Sequence, residues 1–244
     1  MRKFFSLLAF FAIFNSQAAT QAVTDTQSIT ATSWLVTDYK GKIIDGENYD
    51  QVRSIASISK LVTAMVVLDA KLDLEEKVNS YTRSQLIQLA LVKSDNSAAQ
   101  ALCDSYQGGS SACVYAMNMK MQAMGLDNTR FAEPTGLSVF NVSTAQELIK
   151  LVQAAQAYPE IVDASKSSQV KIKLRKKMLI FNNTNPIIGK RHSFIVSKTG
   201  YIRASGGCIV MMLDTDIGRR IVVVLGSKNT HTRIPEAEFI ATKE

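Results

Sequence analysis

Strand patterns lie at both ends of this chain, and helical patterns fill the middle. Residues 33–38 and 42–45 are typical of strands, and apolar residues at helical spacing predict a helix from Ser57 to about Leu72. Further helices are predicted over 83–92, 96–104, 111–124 and 144–157. Strand patterns return over 168–174, 177–182, 194–198, 207–214 and 220–226, followed by a short helix over 234–242.

This order predicts an α+β fold. Strands from both chain ends can form one antiparallel sheet, with a central helical part, about residues 57–165, covering it or standing beside it. Ser143 is the predicted N-cap of the helix over 144–157, with Glu147 in its first turn. A cleft between the helical part and the sheet edge is the expected place for a site.

The first residues have the layout of a secretory signal peptide. An apolar run over residues 4–14 follows two basic residues and precedes the small residues Ser16 and Ala18. The run is too short to span a bilayer. We therefore expect a signal peptide over 1–18, a single domain over 19–244 and a secreted protein without a stable membrane anchor. An uncleaved anchor is the alternative.

Charge and cysteine usage narrow the classes of partner. The formal net charge is +7, and it falls to +5 when a signal peptide with two cations and no acids is removed. Such a balance suits a polyanionic surface, but no basic and aromatic clustering indicates nucleic acid.

No cysteine or histidine has metal-ligand spacing, so no metal or other cofactor is expected. Cys103 and Cys113 flank a Gly-Gly turn and are candidates for a disulfide, whereas Cys208 is expected to be a buried thiol.

Three short motifs occur in a fixed order. They are Ser57-Ile58-Ser59-Lys60, Ser94-Asp95-Asn96 and Lys198-Thr199-Gly200. Each alone has an ordinary explanation, as a helix cap or a strand that ends in a turn. A second Ser-x-x-Lys, from Ser168 to Lys171, lies in a strand pattern, where residues three apart point to opposite faces. Ser57 and Lys60 share one face of a helix, so the three motifs together indicate a serine acyl-transfer site.

The residue types suit that chemistry. A serine hydroxyl needs a neighbouring base, and neither His192 nor His231 lies in a nucleophile-elbow context. Lys60 can be the base for Ser57 if burial or a nearby cation lowers its pKa. Lys198 is expected to supply that cation and to hold a substrate carboxylate.

The remaining motif residues have supporting roles in this interpretation. Asn96 has both a donor and an acceptor and is expected to orient Lys60 and a substrate amide. Ser94 is expected to relay a proton to the leaving amine. Gly200 would let a substrate backbone lie against the strand without an intervening side chain.

Longer stretches of the chain match a known family. They are Ile55–Leu61, Thr63–Ala70, Leu126–Phe131, Glu133–Ser138, Asn141–Ala145, Asn183–Asn185 and Lys198–Tyr201. Over about residues 28–235 the chain resembles the low-molecular-mass penicillin-binding proteins, or D-alanyl-D-alanine peptidases, and most of all their periplasmic endopeptidase branch. The resemblance implies a β-lactamase/transpeptidase-like fold, a periplasmic location and an acyl-enzyme mechanism on the peptide stems of peptidoglycan.

The resemblance also implies a role for each motif residue. Ser57 would be acylated by the penultimate D-alanine carbonyl, Lys60 would accept its proton, and Ser94 and Asn96 would complete the catalytic set. The implied substrate-binding residues are Lys198, Thr199, Gly200 and Tyr201. The backbone N–H groups of Ser57 and Tyr201 would form the oxyanion hole, and β-lactam antibiotics would acylate Ser57 as covalent inhibitors.

Several functions of this fold remain open. The chain ends 44 residues after Gly200, too few for the second β-rich domain and amphipathic tail of membrane-tethered carboxypeptidases. This favours an endopeptidase that cuts D-alanyl-diaminopimelyl cross-links, with a carboxypeptidase or a penicillin-acylated sensor without turnover as alternatives. A β-lactamase is disfavoured, because no Glu-x-x-Leu-Asn segment lies between the second and third motifs.

The sequence departs from the endopeptidase branch at one segment. Ser94 follows Ser57 by only 37 positions, and the segment after Lys77 is shorter than expected. That segment is expected to help form a wall near the active site, so its shortening leaves substrate choice and turnover open.

Overall fold

A computed structural model describes residues 28–243 of the chain. The signal peptide expected over residues 1–18 lies outside the described residues. Two N-terminal strands, β1 (Ser33–Asp38) and β2 (Ile43–Glu47), lead through the short β3 (Arg53–Ser54) and a 3-10 turn (Ala56–Ile58) into the helical part.

The middle of the chain is mostly helical. Its elements are α1 (Ser59–Asp69), β4 (Lys77–Val78), β5 (Tyr81–Thr82), α2 (Arg83–Gln88), a π-helical segment (Leu89–Lys93), α3 (Asn96–Asp104), α4 (Gly109–Ala123), β6 (Val142–Ser143), α5 (Ala145–Ala155) and α6 (Pro159–Lys166). The C-terminal elements are β7 (Gln169–Leu174), β8 (Lys177–Asn182), β9 (Ser193–Ile202), β10 (Gly206–Thr215), β11 (Gly218–Ser227) and α7 (Arg233–Ala241).

Strands from both chain ends form one five-stranded sheet in the order β2-β1-β11-β10-β9. All of its pairs are antiparallel, and β1 lies beside β11 with Val36 opposite Val222. This confirms the α+β class and the sheet built from both ends. β9, which carries the third motif, is therefore an edge strand next to the helical part.

Alternation along the strands creates two cores, one on each face of the sheet. Leu35 and Val223 face the larger core, formed with the central helices, and Trp34 and Val224 face the smaller core beneath α7. Successive strand residues point to opposite faces, so central strands covered on both faces need apolar residues at nearly every position. This explains the continuous apolar run in β10.

Several predicted boundaries differ from the structure. The N-cap of α5 is Thr144, whose hydroxyl accepts a hydrogen bond from the N–H of Glu147 at 3.0 Å, so the prediction of Ser143 was wrong. Ser143 pairs instead with Arg53 in the two-stranded ladder of β3 and β6, which delays the helix by one residue. α6, begun by Pro159 at its first position, was not predicted as a separate helix.

The helical part is cross-linked within itself. Cys103 of α3 and Cys113 of α4 form a disulfide, and Cys208 is a buried free thiol. None of the helices within residues 28–243 combines the length and apolar character needed to cross a bilayer.

Candidate active site

Ser57 lies on the 3-10 turn before α1, in a segment held from two sides. The N–H of Ile55 donates to the carbonyl of Asn141 at 3.0 Å. Ala56 has a φ of 47°, a left-handed conformation that is costly for a residue with a Cβ. Gly136 packs directly on the Ala56 carbonyl and the Ser57 N–H, where a side chain would collide. Tertiary contacts therefore maintain the strained turn that presents Ser57.

Lys60 lies one turn beyond Ser57, as predicted, although the α-helix itself begins only at Ser59. Its Nζ donates to Ser57 Oγ at 2.7 Å, to Asn96 Oδ1 at 2.7 Å and to the carbonyl of Thr135. The side chain is fully buried. Burial lowers the pKa of Lys60 to about 8, against the opposing effect of the Glu133 and Asp95 carboxylates.

The second motif, Ser94-Asp95-Asn96, forms a sharp turn before α3, called the motif corner below. It directs two side chains to two different lysines. Ser94 is left-handed, with φ of 60°, and Asp95 caps α3 by accepting a hydrogen bond from the N–H of Ala98 at 3.0 Å. Asn96 opens α3 and reaches Lys60, whereas Ser94 Oγ accepts from Lys198 Nζ at 2.7 Å. The motif thus joins the first and third motifs through hydrogen bonds.

Lys198 lies on β9, which continues through the third motif to Ile202. Its side chain is buried, and Nζ also donates to the carbonyl of Thr199 at 2.9 Å. Burial, and then the positive charges of Lys60 and Arg233, hold the pKa of Lys198 well below its usual value. The two lysine side chains therefore lie on the two sides of the motif corner, and the positive charge of Lys60 disfavours the ionised form of Lys198.

Gly200 is the point where β9 approaches the nucleophile's turn. A Cβ built there would lie 2.8 Å from the carbonyl oxygen of Ile55 and 3.1 Å from the N of Ser57. A side chain at Gly200 would therefore force the strand away from Ser57. Gly200 thus allows the strand and the turn to meet, and its expected role in giving a substrate backbone access to the strand stays a prediction. Tyr201, the next residue, is 47% exposed.

Two supporting groups carried no role in the sequence analysis. The Glu133 carboxylate accepts hydrogen bonds from the N–H of Thr135 at 2.7 Å and of Gly136 at 2.7 Å. Burial tends to raise the pKa of Glu133, but these bonds outweigh it and hold the pKa below its ordinary value. This carboxylate shapes the loop whose Thr135 carbonyl accepts from Lys60. Glu133 and Thr135 both lie in the stretch Glu133–Ser138 that matches the family, and no other sequence pattern marks them.

Arg233 was also missed. It lies at the start of α7, and its Nη1 donates to the Gly200 carbonyl at 2.6 Å. No local pattern marks it, because only the packing of α7 against the sheet brings it to β9. It adds a second buried cation beside Lys198.

A cavity of about 270 Å³ lies next to the motif corner, where the sequence indicates a shortened segment. It is bounded by the tight β4–β5 turn, by Asp95 and Lys93, and by the ring of Phe181. Lys93 Nζ lies 2.9 Å from Asp95 Oδ2 and 4.7 Å from the centroid of that ring.

Seven of the eight predicted site residues meet at the cleft between α1, the motif corner and β9, and the eighth, Tyr201, follows Gly200 with an exposed side chain. Their arrangement joins a hydroxyl on a strained turn to a buried amine of lowered pKa, with a second buried amine nearby. Such a set can activate a serine for attack on a carbonyl and can stabilise the charge that develops. Among residues 28–243, no group of three or more His, Cys, Asp or Glu side chains is placed to hold a metal ion.

The comparisons with known proteins agree with this geometry. The chain is 37% identical over 235 residues to a D-alanyl-D-alanine endopeptidase of Pseudomonas aeruginosa, covering 86% of this chain and 76% of the relative. It is 36% identical over 255 aligned positions to a D-alanyl-D-alanine endopeptidase of Escherichia coli, covering 95% and 82%. A crystal structure of penicillin-binding protein D2 from Listeria monocytogenes in its ampicillin-bound form superposes with a TM-score of 0.79 at 25% identity, covering 87% and 96%.

The family match covers most of the chain. Residues 17–80 and 72–229 match the family described as D-alanyl-D-alanine carboxypeptidase. With its penicillin-binding-protein fold and its likeness to both endopeptidases and carboxypeptidases, this chain belongs to the D-alanyl-D-alanine carboxypeptidase family of serine DD-peptidases.

Proposed function

We propose that this protein hydrolyses the D-alanyl-diaminopimelyl cross-links of peptidoglycan through an acyl-enzyme on Ser57. The observation that carries the proposal is the 2.7 Å contact between Ser57 Oγ and the Nζ of the fully buried Lys60. A lysine whose pKa burial lowers to about 8 is neutral often enough near neutral pH to accept the serine proton.

In the proposed acylation, Ser57 Oγ attacks the D-alanine carbonyl while Lys60 takes the hydroxyl proton. The backbone N–H groups of Ser57 and Tyr201 stabilise the oxyanion; Gly200 supports this by allowing close approach of the two chain segments. Ser94, held 2.7 Å from Lys198 Nζ, relays the proton taken up by Lys60 to the leaving amine, which returns Lys60 to its neutral form. Water then attacks the ester carbonyl and gives a proton to Lys60, and Lys60 returns that proton to Ser57 Oγ as the acyl–oxygen bond breaks.

The substrate-binding role falls to β9. Lys198 and Thr199 bind the carboxylate of the peptide stem, and Thr199 Oγ1 is positioned by a 2.6 Å hydrogen bond to Thr184 Oγ1. Asn96 holds Lys60 on one side and presents its amide N–H groups to the substrate. β-Lactam antibiotics would occupy the same positions and acylate Ser57.

The choice of endopeptidase over carboxypeptidase is supported by the relatives. Two relatives above 30% identity are named endopeptidases. The signal-peptide layout of residues 1–18 supports export, and the cell-wall substrate supports a periplasmic site of action. Carboxypeptidase activity is the second candidate, favoured by the description of the family that the chain matches.

One experiment separates these activities. The purified protein is incubated with cross-linked muropeptide dimers and, separately, with a pentapeptide stem, and both are followed by mass spectrometry. Cleavage of the dimer is the expected result. Loss of only the terminal D-alanine would assign a carboxypeptidase instead, and a stable penicillin adduct without peptide turnover would assign a sensor.

The nucleophile is tested by covalent labelling with a fluorescent penicillin. Ser57→Ala is expected to abolish labelling. Ser168→Ala, in the second Ser-x-x-Lys of the chain, is the matched control and is expected to label like the unmodified protein. Labelling that survives Ser57→Ala would show that the nucleophile has been misassigned.

A further inference from the structure

Positive charge is concentrated in one hairpin of this protein. No Asp or Glu occurs between Asp163 and Asp214, a stretch that contains ten Lys and Arg residues. Five of these cations lie in seven positions at the β7–β8 hairpin: Lys171, Lys173, Arg175, Lys176 and Lys177. All five are exposed.

The hairpin has two distinct faces. Val170 and Ile172 point inward and are buried in the larger core. On the outer face, Lys171 pairs with Ile180 and Lys173 pairs with Met178 across the two strands. Ile180 is 56% exposed and Met178 57% exposed. The outer face is thus a cationic surface with apolar side chains between the lysines.

No carboxylate in the described part of the chain forms an ion pair with these cations. The ion pairs found within residues 28–243 involve other cations, and none includes a cation of the hairpin. Like charges held together on a narrow two-stranded ribbon repel one another. A surface built this way is unfavourable for the isolated protein and gains most from an anionic partner.

The hairpin stands beside the candidate active site. Directly after β8, the N–H of Thr184 donates to the carbonyl of Val92 at 3.1 Å, two residues before Ser94. Thr184 Oγ1 also accepts from Thr199 Oγ1 on β9. Phe181 of β8 contacts Lys93, which is paired with Asp95 in the motif corner. A polymer that reaches the cleft therefore passes close to the hairpin.

We propose that the outer face of the β7–β8 hairpin is a docking surface for peptidoglycan, binding the carboxylates of peptide stems next to the one in the cleft. The inference rests on the proposed function, because it names the polymer that carries the cleaved bond. Peptidoglycan stems present carboxylates at repeated positions, which complement a row of separated lysines. Met178 and Ile180 add apolar contact with the stems.

A membrane is the less suitable partner on structural grounds. The tip of the hairpin is formed by Arg175 and Lys176, both exposed, and offers no large apolar side chain to insert between lipids. The exposed apolar residues lie along the strand, between lysines. This placement suits a polymer that lies across the face.

The test measures binding to intact, insoluble sacculi without turnover. In a Ser57→Ala background, Lys171→Gln/Lys173→Gln is compared with a control that removes two exposed lysines at the β1–β2 turn, Lys40→Gln/Lys42→Gln. At low salt, the hairpin variant is expected to lose about tenfold in affinity and the control less than twofold. Equal affinities of the two variants would overturn the proposal.

Two further measurements identify the anion. Amidation of the sacculus carboxylates should reduce the affinity of the parent protein to that of the hairpin variant; undiminished binding would overturn the proposal. Vesicles containing about one third anionic phospholipid serve as the competing surface. Hairpin-dependent binding to vesicles that is tighter than binding to sacculi would assign the face to a membrane and also overturn it.

The test of the docking surface and the test of the proposed function can fail independently of each other. Dimer cleavage is measured with Ser57 intact, and sacculus binding with Ser57→Ala. Cleavage together with hairpin-independent binding would refute only the docking surface. Hairpin-dependent binding without cleavage of any cross-link would refute only the endopeptidase. In the hairpin variant and in its control, the rate of penicillin labelling with Ser57 intact is expected to match the parent protein within twofold.

Discussion

Two groups of lysines in this protein show what environment does to one side chain. Lys60 and Lys198 are fully buried, and each is held by hydrogen bonds to motif residues. The hairpin lysines Lys171, Lys173 and Lys177 are exposed and lie outside any ion pair among the described residues. Burial makes the ionised form costly and lowers the pKa of both buried amines, to about 8 for Lys60. The exposed lysines extend into solvent, where they are accessible to an anionic partner.

The largest expected effect is the loss of the buried base. Lys60→Met preserves the length and packing of the side chain but removes the proton acceptor next to Ser57. We expect the rate of acylation by penicillin to fall by about 10³-fold. Lys171→Met is the matched control on the hairpin and should stay within twofold of the unmodified protein. Similar losses in both variants would break the distinction between the two groups of lysines.

Removal of the second buried lysine should have a smaller effect. Lys198→Met deletes the hydrogen bond to Ser94 Oγ and the positive charge beside the cleft, and we expect acylation to slow by about 10²-fold. The free energy of unfolding, measured in urea, should be unchanged or higher, because an apolar side chain replaces a buried cation. A large loss of stability would indicate that Lys198 acts mainly through folding.

A pH profile tests the buried pair directly. Burial lowers the pKa of Lys60 to about 8, and only the neutral amine can accept the proton of Ser57. The neutral fraction rises about tenfold per pH unit below the pKa and levels off above it. Acylation rates measured from pH 6 to 9 should therefore increase with pH and reach a plateau above about 8. A flat profile would contradict Lys60 as the base.

The smallest expected effect concerns stability at the hairpin. Lys171→Gln/Lys173→Gln/Lys177→Gln should change the free energy of unfolding by less than about 0.5 kcal/mol per substitution, because the side chains make no ion pairs with described residues. Relief of repulsion between the lysines should make the sign stabilising. Urea denaturation of the variant and of the parent protein measures it, and a clear destabilisation would show that these lysines support the fold.

Much of the fold could be predicted from the spacing of apolar residues along the chain. The α+β order and the hairpin over 168–182 followed from local patterns, and both were confirmed. The errors lie where a distant segment competes with a local signal. Ser143 is a suitable N-cap, but pairing with Arg53 takes it into a strand. The turn at Ser57 departs from a regular helix because Gly136 and Asn141 hold it from another part of the chain.

The candidate site was predictable in residue types but not in arrangement. The three motifs named seven of the predicted site residues, and the family resemblance added Tyr201. Arg233 could not be predicted, since it reaches Gly200 only through the packing of α7 on the sheet. Glu133 and Thr135 were visible only as part of a matching stretch, and the loop they form had no recognisable pattern of its own.

The sequence alone determined which chemical groups are present, their order along the chain and the concentration of cations in the hairpin. Those properties depend on residue identity and on periodicity over a few positions. Only the tertiary structure decided that Lys198 donates to Ser94, 104 positions away, and that Lys60 is buried with Asn96 and Thr135 around its amine. A pKa depends on solvent exclusion and on neighbouring charges, and folding brings these together from distant parts of the chain.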